Sequence, residues 1–448
     1  MATWRQSARE VWSNRPAPTN SAAAAARDQR YACCTVHPAD SAIPLGDSKT
    51  LAALRPAARV SAATALLPQL DGGSVTPMPT PRPPGFARRL LLRLIGADAL
   101  APAVRALGRG LLSIFTLHRF TDPEHEVEGT DPATLRDHLA YLRRHNYRLL
   151  SLTAALRLLE DGDAGWRTPA VAFTVDDGYA DFATIGAPIF AEFDCPVTLF
   201  VTTGFLDGQL WLWWDRVAYV FQQTLQTSVL LRVGPDLLSY RWSTPSERVA
   251  VQHDVIERLQ MVTVSEREAV ITSLTHQLDV ELPARPPSWF APISWDDVRR
   301  TARLGATFGP HTVTHPILAL TNDATCNWEI QESYRRVRQE TDACVPVLCY
   351  PNGQPHACKP KVFQAAERAG IQAALTTVPG YVDLHRVPAR KTFGRFALPR
   401  FPYPSDRGHL AHVVAGMARL RTAVRHGTYP RPPDVLPLSH PVPESAGD

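Results

Sequence analysis

Short apolar runs alternate with helix-patterned segments along this chain, and each of several runs ends on a polar side chain. LLSIFTL (111–117) leads to His118, AVAFTV (170–175) to Asp176 and Asp177, ATFGPHT (306–312) carries His311, and VLCYP (347–351) leads to Asn352. Further runs at 147–152, 196–203 and 372–377 have the same character. Runs this apolar read as strands buried on both faces, and interleaved helices predict a parallel sheet wrapped by helices. In barrels of that kind the functional groups gather at the C-terminal ends of the strands. Four strands that each deliver such a group predict one shared site.

The helices between them carry local signals. Asp131 is placed as an N-cap with Pro132 in the first turn, and Leu135, Leu139 and Leu142 follow at helical spacing. Helices are predicted over 88–107 with a break near Pro102, from Thr153, over 180–193 with a bend at Pro188, and from Ser294 with Asp297 closing a capping box. Others follow over 323–343, from Lys359, and over 408–425.

Residues 207–293 interrupt the alternation. They open with DGQLWLWWDRVAYVF and continue through helix-like stretches near 246–262 and 265–278. They read as an insertion packed over or beside the barrel mouth. Residues 1–87 are rich in Ala, Pro, Ser and Thr, too poor in apolar surface to offset the entropy of ordering, and read as disordered or as an upstream extension. Residues 427–448 are a proline-rich tail, which leaves 88–426 for the folded domain.

With 45 % hydrophobic residues the chain can bury a sizeable core, and a net charge of +4 over 448 residues argues against a nucleic-acid-binding surface. No apolar stretch is long enough to span a membrane, and the first residues lack a secretory core, so the expected location is cytoplasmic. The seven cysteines form no CxxC pair and read as reduced thiols. Nothing in the pattern specifies an oligomeric state.

Two motifs carry chemistry. In FTVDDGY (173–179) a strand delivers two adjacent carboxylates and then Gly178 for a sharp turn. In HTVTH (311–315) two imidazoles four residues apart share a face if helical, or converge in a turn at a strand end. Alone, Asp177 could simply cap a helix, and an HxxxH could be incidental. Together, two histidines and one carboxylate make a three-ligand set with an open position, the pattern of a catalytic metal site. The second aspartate is then free to act as a base.

These motifs, in this order and each after a strand, resemble those of the polysaccharide deacetylases with a NodB-like domain. TVDDG (174–178) is similar to their TFDDG motif and HTVTH to their HS/TxxH motif, while CYPNG (349–353) is a looser match to their third; the resemblance spans roughly 108–402. It implies a distorted (β/α)7-type barrel with the insertion lying between the two metal-ligand motifs. It implies Asp176 as general base, Asp177, His311 and His315 as ligands of one divalent metal (zinc, with nickel or cobalt also suited), and Tyr350, Pro351 and Asn352 as lining of the acetyl pocket, offering a backbone N–H to the oxyanion. The family's third motif usually begins with an arginine that orients the base; Pro346 and Val347 stand there, and Arg400 is the candidate replacement, placed with Tyr350, Pro351, Asn352 and Trp213 at the substrate site. His385 in DLHR is only a weak match to the family's late histidine motif. His118, in TLHRF, resembles instead the early histidine that serves as acid in the branch acting on poly-N-acetylglucosamine. Trp211, Trp213 and Trp214 open the insertion; they are its core or, with Trp213 the candidate, a sugar-stacking surface.

The expected activity is removal of acetyl groups from an amino-sugar saccharide. A metal-independent glycosidase and a catalytically degenerate carbohydrate-binding protein are the competing readings.

Overall fold

A computed structural model describes residues 86–122, 127–161, 168–383 and 393–419. The expectations for the first 85 residues, for the 427–448 tail and for His385 lie outside these. The described residues fall in one compact unit, Pro79–Asp448.

The apolar runs form strands: β1 (Leu111–Leu117), β2 (Arg148–Leu149), β3 (Ala170–Val175) and β4 (Val197–Val201). A hairpin follows, β5 (Ser228–Val233) and β6 (Asp236–Arg241), and then β7 (Ala306–Pro310), β8 (Val347–Cys349), β9 (Ala373–Leu375), β10 (Val382–Asp383) and β11 (Phe401–Pro402). Every position of β1, β3 and β4 is buried, as expected of strands covered on both faces. The order β10-β1-β3-β4-β7, with β11 beside β1 and β2 beside β3, makes a seven-stranded sheet, parallel except for β10. β8 and β9 pair separately and in parallel. Single bridges join Phe308 of β7 to Cys344, ahead of β8, and Leu375 of β9 to Leu398, ahead of β11. The result is an α/β fold around a mixed sheet.

The parallel registers level the strand ends. Leu117 pairs with Val175, Val175 with Leu199, and Val201 with Pro310. The hydrogen bonds continue one step past the strands, from Asp176 N–H to Leu117 O (2.9 Å), Thr202 N–H to Asp177 O (3.1 Å) and His311 N–H to Val201 O (3.0 Å). His118, Asp176, Asp177 and His311 therefore emerge at one end of the sheet.

Asp131 caps its helix through Thr134 N–H, as the sequence predicts; Ser294 caps its own through Asp297 N–H, but the Asp297 carboxylate pairs with Arg300 in place of closing the expected capping box. Elsewhere the boundaries move. The helix read over 88–107 is two, Phe86–Ile95 and Ala101–Leu107. The break falls at Gly96, which lies against the Gly408 backbone so closely that a Cβ would come within 3.1 Å of Gly408 Cα. Pro102 starts the second helix and breaks nothing. The strand at 147–152 shrinks to β2 because Leu152 already opens the helix Leu152–Asp161. The helix read over 180–193 begins as a π-type winding, Phe182–Gly186, before Ala187–Glu192, and the long helix stops at Glu340.

The insertion is a small structure with its own core. The helices Trp213–Gln223, Pro245–Leu259 and Val264–Gln277 pack with the β5–β6 hairpin around Val217, Phe221, Leu231, Val255, Leu259 and Ile271. Capping boxes at Thr244/Glu247 and Thr263/Glu266 fix two helix starts. The hairpin is not among the expected elements; its burial alternates along SVLLRV, Gly234 takes φ +57° in the turn, and the one sequence signal for it is the Gly234-Pro235 pair between the strands. The described cysteines (195, 326, 344, 349 and 358) are all free thiols. No helix among the described residues is long and apolar enough to cross a membrane.

Candidate functional site

Asp177 leaves β3 at φ +74° and Gly178 follows at +95°, so the chain turns away at once and both carboxylates stay at the strand end. HTVTH is not helical. It is a turn closing β7, with Thr312 at φ +67° and His315 at +59°. Left-handed backbone at non-glycine residues is strained and persists where its surroundings enforce it. The Thr312 hydroxyl accepts from His315 N–H (3.1 Å), and buried Glu329 accepts from Val313 N–H (2.7 Å), Thr314 N–H (3.0 Å) and the Thr314 hydroxyl.

The turn aims both imidazoles at Asp177. Its Oδ1 is 3.5 Å from His311 Nε2 and from His315 Nε2, which are 3.2 Å apart. His311 Nδ1 lies 2.8 Å from the Cys349 carbonyl, an acceptor only, so Nδ1 carries a proton and Nε2 is the nitrogen turned to the shared point. Burial would lower the imidazole's pKa, but Cys349 and the Asp177 carboxylate raise it well above its usual value, so an ion bound there would have to displace the Nε2 proton. Burial alone would raise the Asp177 carboxyl, but hydrogen bonds to both histidines hold it well below the usual range. One carboxylate and two imidazoles converging in this way fit a divalent cation. Asp176, His311 and Cys349 also lie close together. That set is already committed, because His311 Nδ1 is bonded to the Cys349 carbonyl and Asp176 to an arginine.

Arg400 is that arginine. Its Nη1 donates to Asp176 Oδ1 (2.8 Å) and its Nη2 to Oδ2 (2.7 Å), while its Nε holds Thr376 O (2.9 Å). Burial would push the Asp176 carboxyl up, but the Arg400 charge and hydrogen bonds hold it down at about 2. The Cys349 thiol adds a weak bond to Oδ2 at 3.4 Å. Arg400 is wholly buried and sits just before β11, so it reaches no substrate; the expectation that it lines the substrate site is corrected to a positioning role. His118 stands on the open side, with Nε2 3.9 Å from Asp176 Oδ2 and its side chain half exposed.

These groups line a cleft of about 820 Å³. Tyr350 and Asn352 line it too, and the insertion supplies another wall through Trp214, Asp215 and the helix Pro245–Leu259. Asn352 Nδ2 donates to Gln260 Oε1 across the seam (3.3 Å). Tyr350 N–H is spent on Leu375 O and Pro351 has none, while no hydrogen bond occupies Asn352 N–H among the described residues. Pro351 is buried and lies outside the lining. Trp213 also lies outside it, packed on the insertion core under Arg267, so the structure does not bring it to the cleft. Its neighbour Trp214 does reach the cleft, its ring 4.7 Å from that of His315. Trp214 Nε1–H donates to the Tyr179 hydroxyl (2.9 Å), which donates to Asp215 Oδ2 (2.7 Å). Burial raises the Asp215 carboxyl to about 8. Glu329, Cys349 and Asp215 are contributors to which the sequence reading gave no role.

An α/β sheet with an aspartate–histidine centre at its strand ends is the arrangement the two motifs foretold. Residues 251–374 match the family model of the polysaccharide deacetylases. The matched segment holds HTVTH, Glu329 and the 349–353 loop; Asp176, Asp177 and Arg400 lie outside it. No curated protein sequence matches the chain. Among solved structures, Streptococcus pyogenes deacetylase PplD in complex with acetate is 16 % identical, with TM-score 0.43 over 68 % of this chain and 98 % of that one. IcaB from Ammonifex degensii is 14 % identical (TM-score 0.43, 68 % and 97 %) and the BpsB deacetylase domain from Bordetella bronchiseptica 15 % (TM-score 0.37, 65 % and 97 %).

Proposed function

We propose that this protein is a metal-dependent hydrolase that removes acetyl groups, N-acetyl above all, from an amino-sugar polysaccharide or oligosaccharide. We further propose that the sheet and its two bridging contacts close as a distorted (β/α)7-type barrel. The carrying observation is the juxtaposition of two sets: Asp177, His311 and His315 converging on one point, and Asp176 beside them in the grip of Arg400.

In this reading Asp177, His311 and His315 hold the ion, zinc or a similar divalent metal. When bound, such an ion acidifies water and polarises an acyl oxygen. Asp176 takes the proton from the attacking water. Asn352 N–H donates to the oxyanion that forms as the acetyl carbonyl turns tetrahedral. His118, across from Asp176 and open to the cleft, delivers a proton to the leaving amine, so that acetate and a free amino sugar depart. Arg400 touches no substrate; it fixes the Asp176 rotamer and keeps the carboxylate ionised.

The degenerate-binder reading drew on the missing family arginine, and the Arg400–Asp176 pair weakens that support. A glycosidase needs two carboxylates facing each other across a bond, roughly 5 Å or more apart with room for a sugar ring. Asp176 and Asp177 are adjacent, one engaged by Arg400 and the other by two histidines. The test is acetate release from acetylated chitooligosaccharides, with and without chelator, for wild type and Asp176→Asn. Release that needs both metal and Asp176 supports the reading; release indifferent to both sinks it.

A further inference from the structure

The helix Pro245–Leu259 has two working faces. Val255 and Leu259 enter the insertion core, while Arg248, Val249, Gln252, Ile256 and, just past its end, Gln260 line the cleft. Arg248 stands apart among these. Its side chain is half-buried in the cleft wall, yet no carboxylate, carbonyl or ring partners it among the described residues. Every other described arginine with buried or half-buried character has a partner: Arg119 holds Asp181, Arg216 holds Glu268, Arg258 holds Asp254, Arg336 holds Asp207, and Arg400 holds Asp176.

The nearest acid in sequence is not available. Glu247 accepts from Ser243 N–H and Thr244 N–H in the capping box. Nor does Arg248 serve its own helix, because a cation in the first turns opposes the positive end of the helix dipole. A guanidinium on the cleft wall with no counter-ion keeps its planar fork free, and that fork matches a carboxylate or phosphate.

We infer that Arg248 receives an anionic substituent of the glycan, so that the substrate is an acetylated saccharide bearing carboxylate or phosphate groups. This rests on the deacetylase reading and narrows it. The insertion then sets specificity: the sheet ends supply the hydrolytic centre, and the insertion helix reads charge on a neighbouring part of the sugar chain. Glu128, also on the cleft lining, would repel an anion from its own side and so help fix the direction in which the chain lies.

The test compares metal-loaded wild type and Arg248→Gln on matched probes: neutral tetra-N-acetylchitotetraose, a hyaluronan tetrasaccharide carrying carboxylates, and an N-acetylglucosamine disaccharide carrying phosphate. Acetate release gives kcat/KM, and calorimetry with Asp176→Asn gives binding. The expected result is a preference of about tenfold or more for one anionic probe, reduced by salt. Arg248→Gln abolishes that preference, its loss falling selectively on the anionic probe; which anionic probe is preferred names the substituent. Equal use of neutral and anionic probes by the wild type, or a preference that survives in Arg248→Gln, overturns the inference while leaving the deacetylase reading intact. No acetate release from any probe overturns the deacetylase reading and this inference with it.

Discussion

Arg400 grips both oxygens of Asp176, at 2.8 and 2.7 Å, and Arg400 is wholly buried behind the cleft-lining carboxylate although the two residues lie 224 positions apart. Two consequences follow. The carboxylate cannot rotate away from the cleft, and it remains ionised at any ordinary pH. Arg400→Met leaves Asp176 buried without its cation, so its pKa rises from about 2 to above that of a free carboxyl. A base with a depressed pKa loses activity only as pH falls through that low value, so the wild-type kcat/KM profile has no acid limb from Asp176 above pH 4. The variant gains one in the range around pH 5 to 7. It also loses about 3–5 kcal/mol of stability, since half of a buried ion pair is left behind. A pH–rate profile together with a denaturant melt reads both effects.

Glu329 holds the left-handed HTVTH turn through two backbone N–H groups and the Thr314 hydroxyl. Glu329→Ala should weaken metal affinity about 10- to 100-fold, the usual cost of removing support behind a ligand. Glu329→Gln keeps an acceptor and a donor there and restores most of it. Metal titration by calorimetry separates the two; equal affinities in wild type and Glu329→Ala would remove the supporting role.

His118→Gln tests the acid. On an N-acetyl substrate kcat falls about 10²- to 10⁴-fold. On an O-acetyl ester the loss is much smaller, because an alkoxide leaves more readily than an amide anion. A similar loss on both substrates would contradict proton delivery to the leaving group.

Asp215 titrates near 8 in the fold because burial disfavours its charge. For a carboxyl raised above its unfolded value, stability is fully present below the unfolded pKa and is lost as pH rises through the folded one. The wild-type melting temperature therefore declines from about pH 4 toward pH 8 by this group's share. Asp215→Asn, which keeps the bond from Tyr179, flattens the decline and melts higher at pH 8. Parallel melting curves for the two proteins would contradict the assignment.

The legible part of this protein was the part written locally. LLSIFTL, AVAFTV and the DDG turn announced β1, β3 and their terminal groups, since the burial of a strand and the identity of its last residues are neighbours in sequence. HTVTH was recognisable as a pair of imidazoles at close spacing, but its turn geometry depends on Glu329, which reads as an ordinary helix residue. Arg400 was legible only as a candidate for the family's missing arginine: it and Cys349 meet Asp176 across 224 and 173 positions, and nothing in their immediate sequence says so. Trp213 and Trp214 show the same limit. Adjacent on one helix, they point to different neighbours, and only packing decides which of them faces the cleft.

The most direct measurement is divalent metal per chain after equilibration with zinc and removal of excess, for wild type beside His315→Ala. The account predicts one ion per chain in the wild type and essentially none in the variant, with both proteins folded by circular dichroism. A wild type that takes up no zinc, nickel or cobalt, or a variant that retains its ion, would contradict the assignment of Asp177, His311 and His315 as the metal centre.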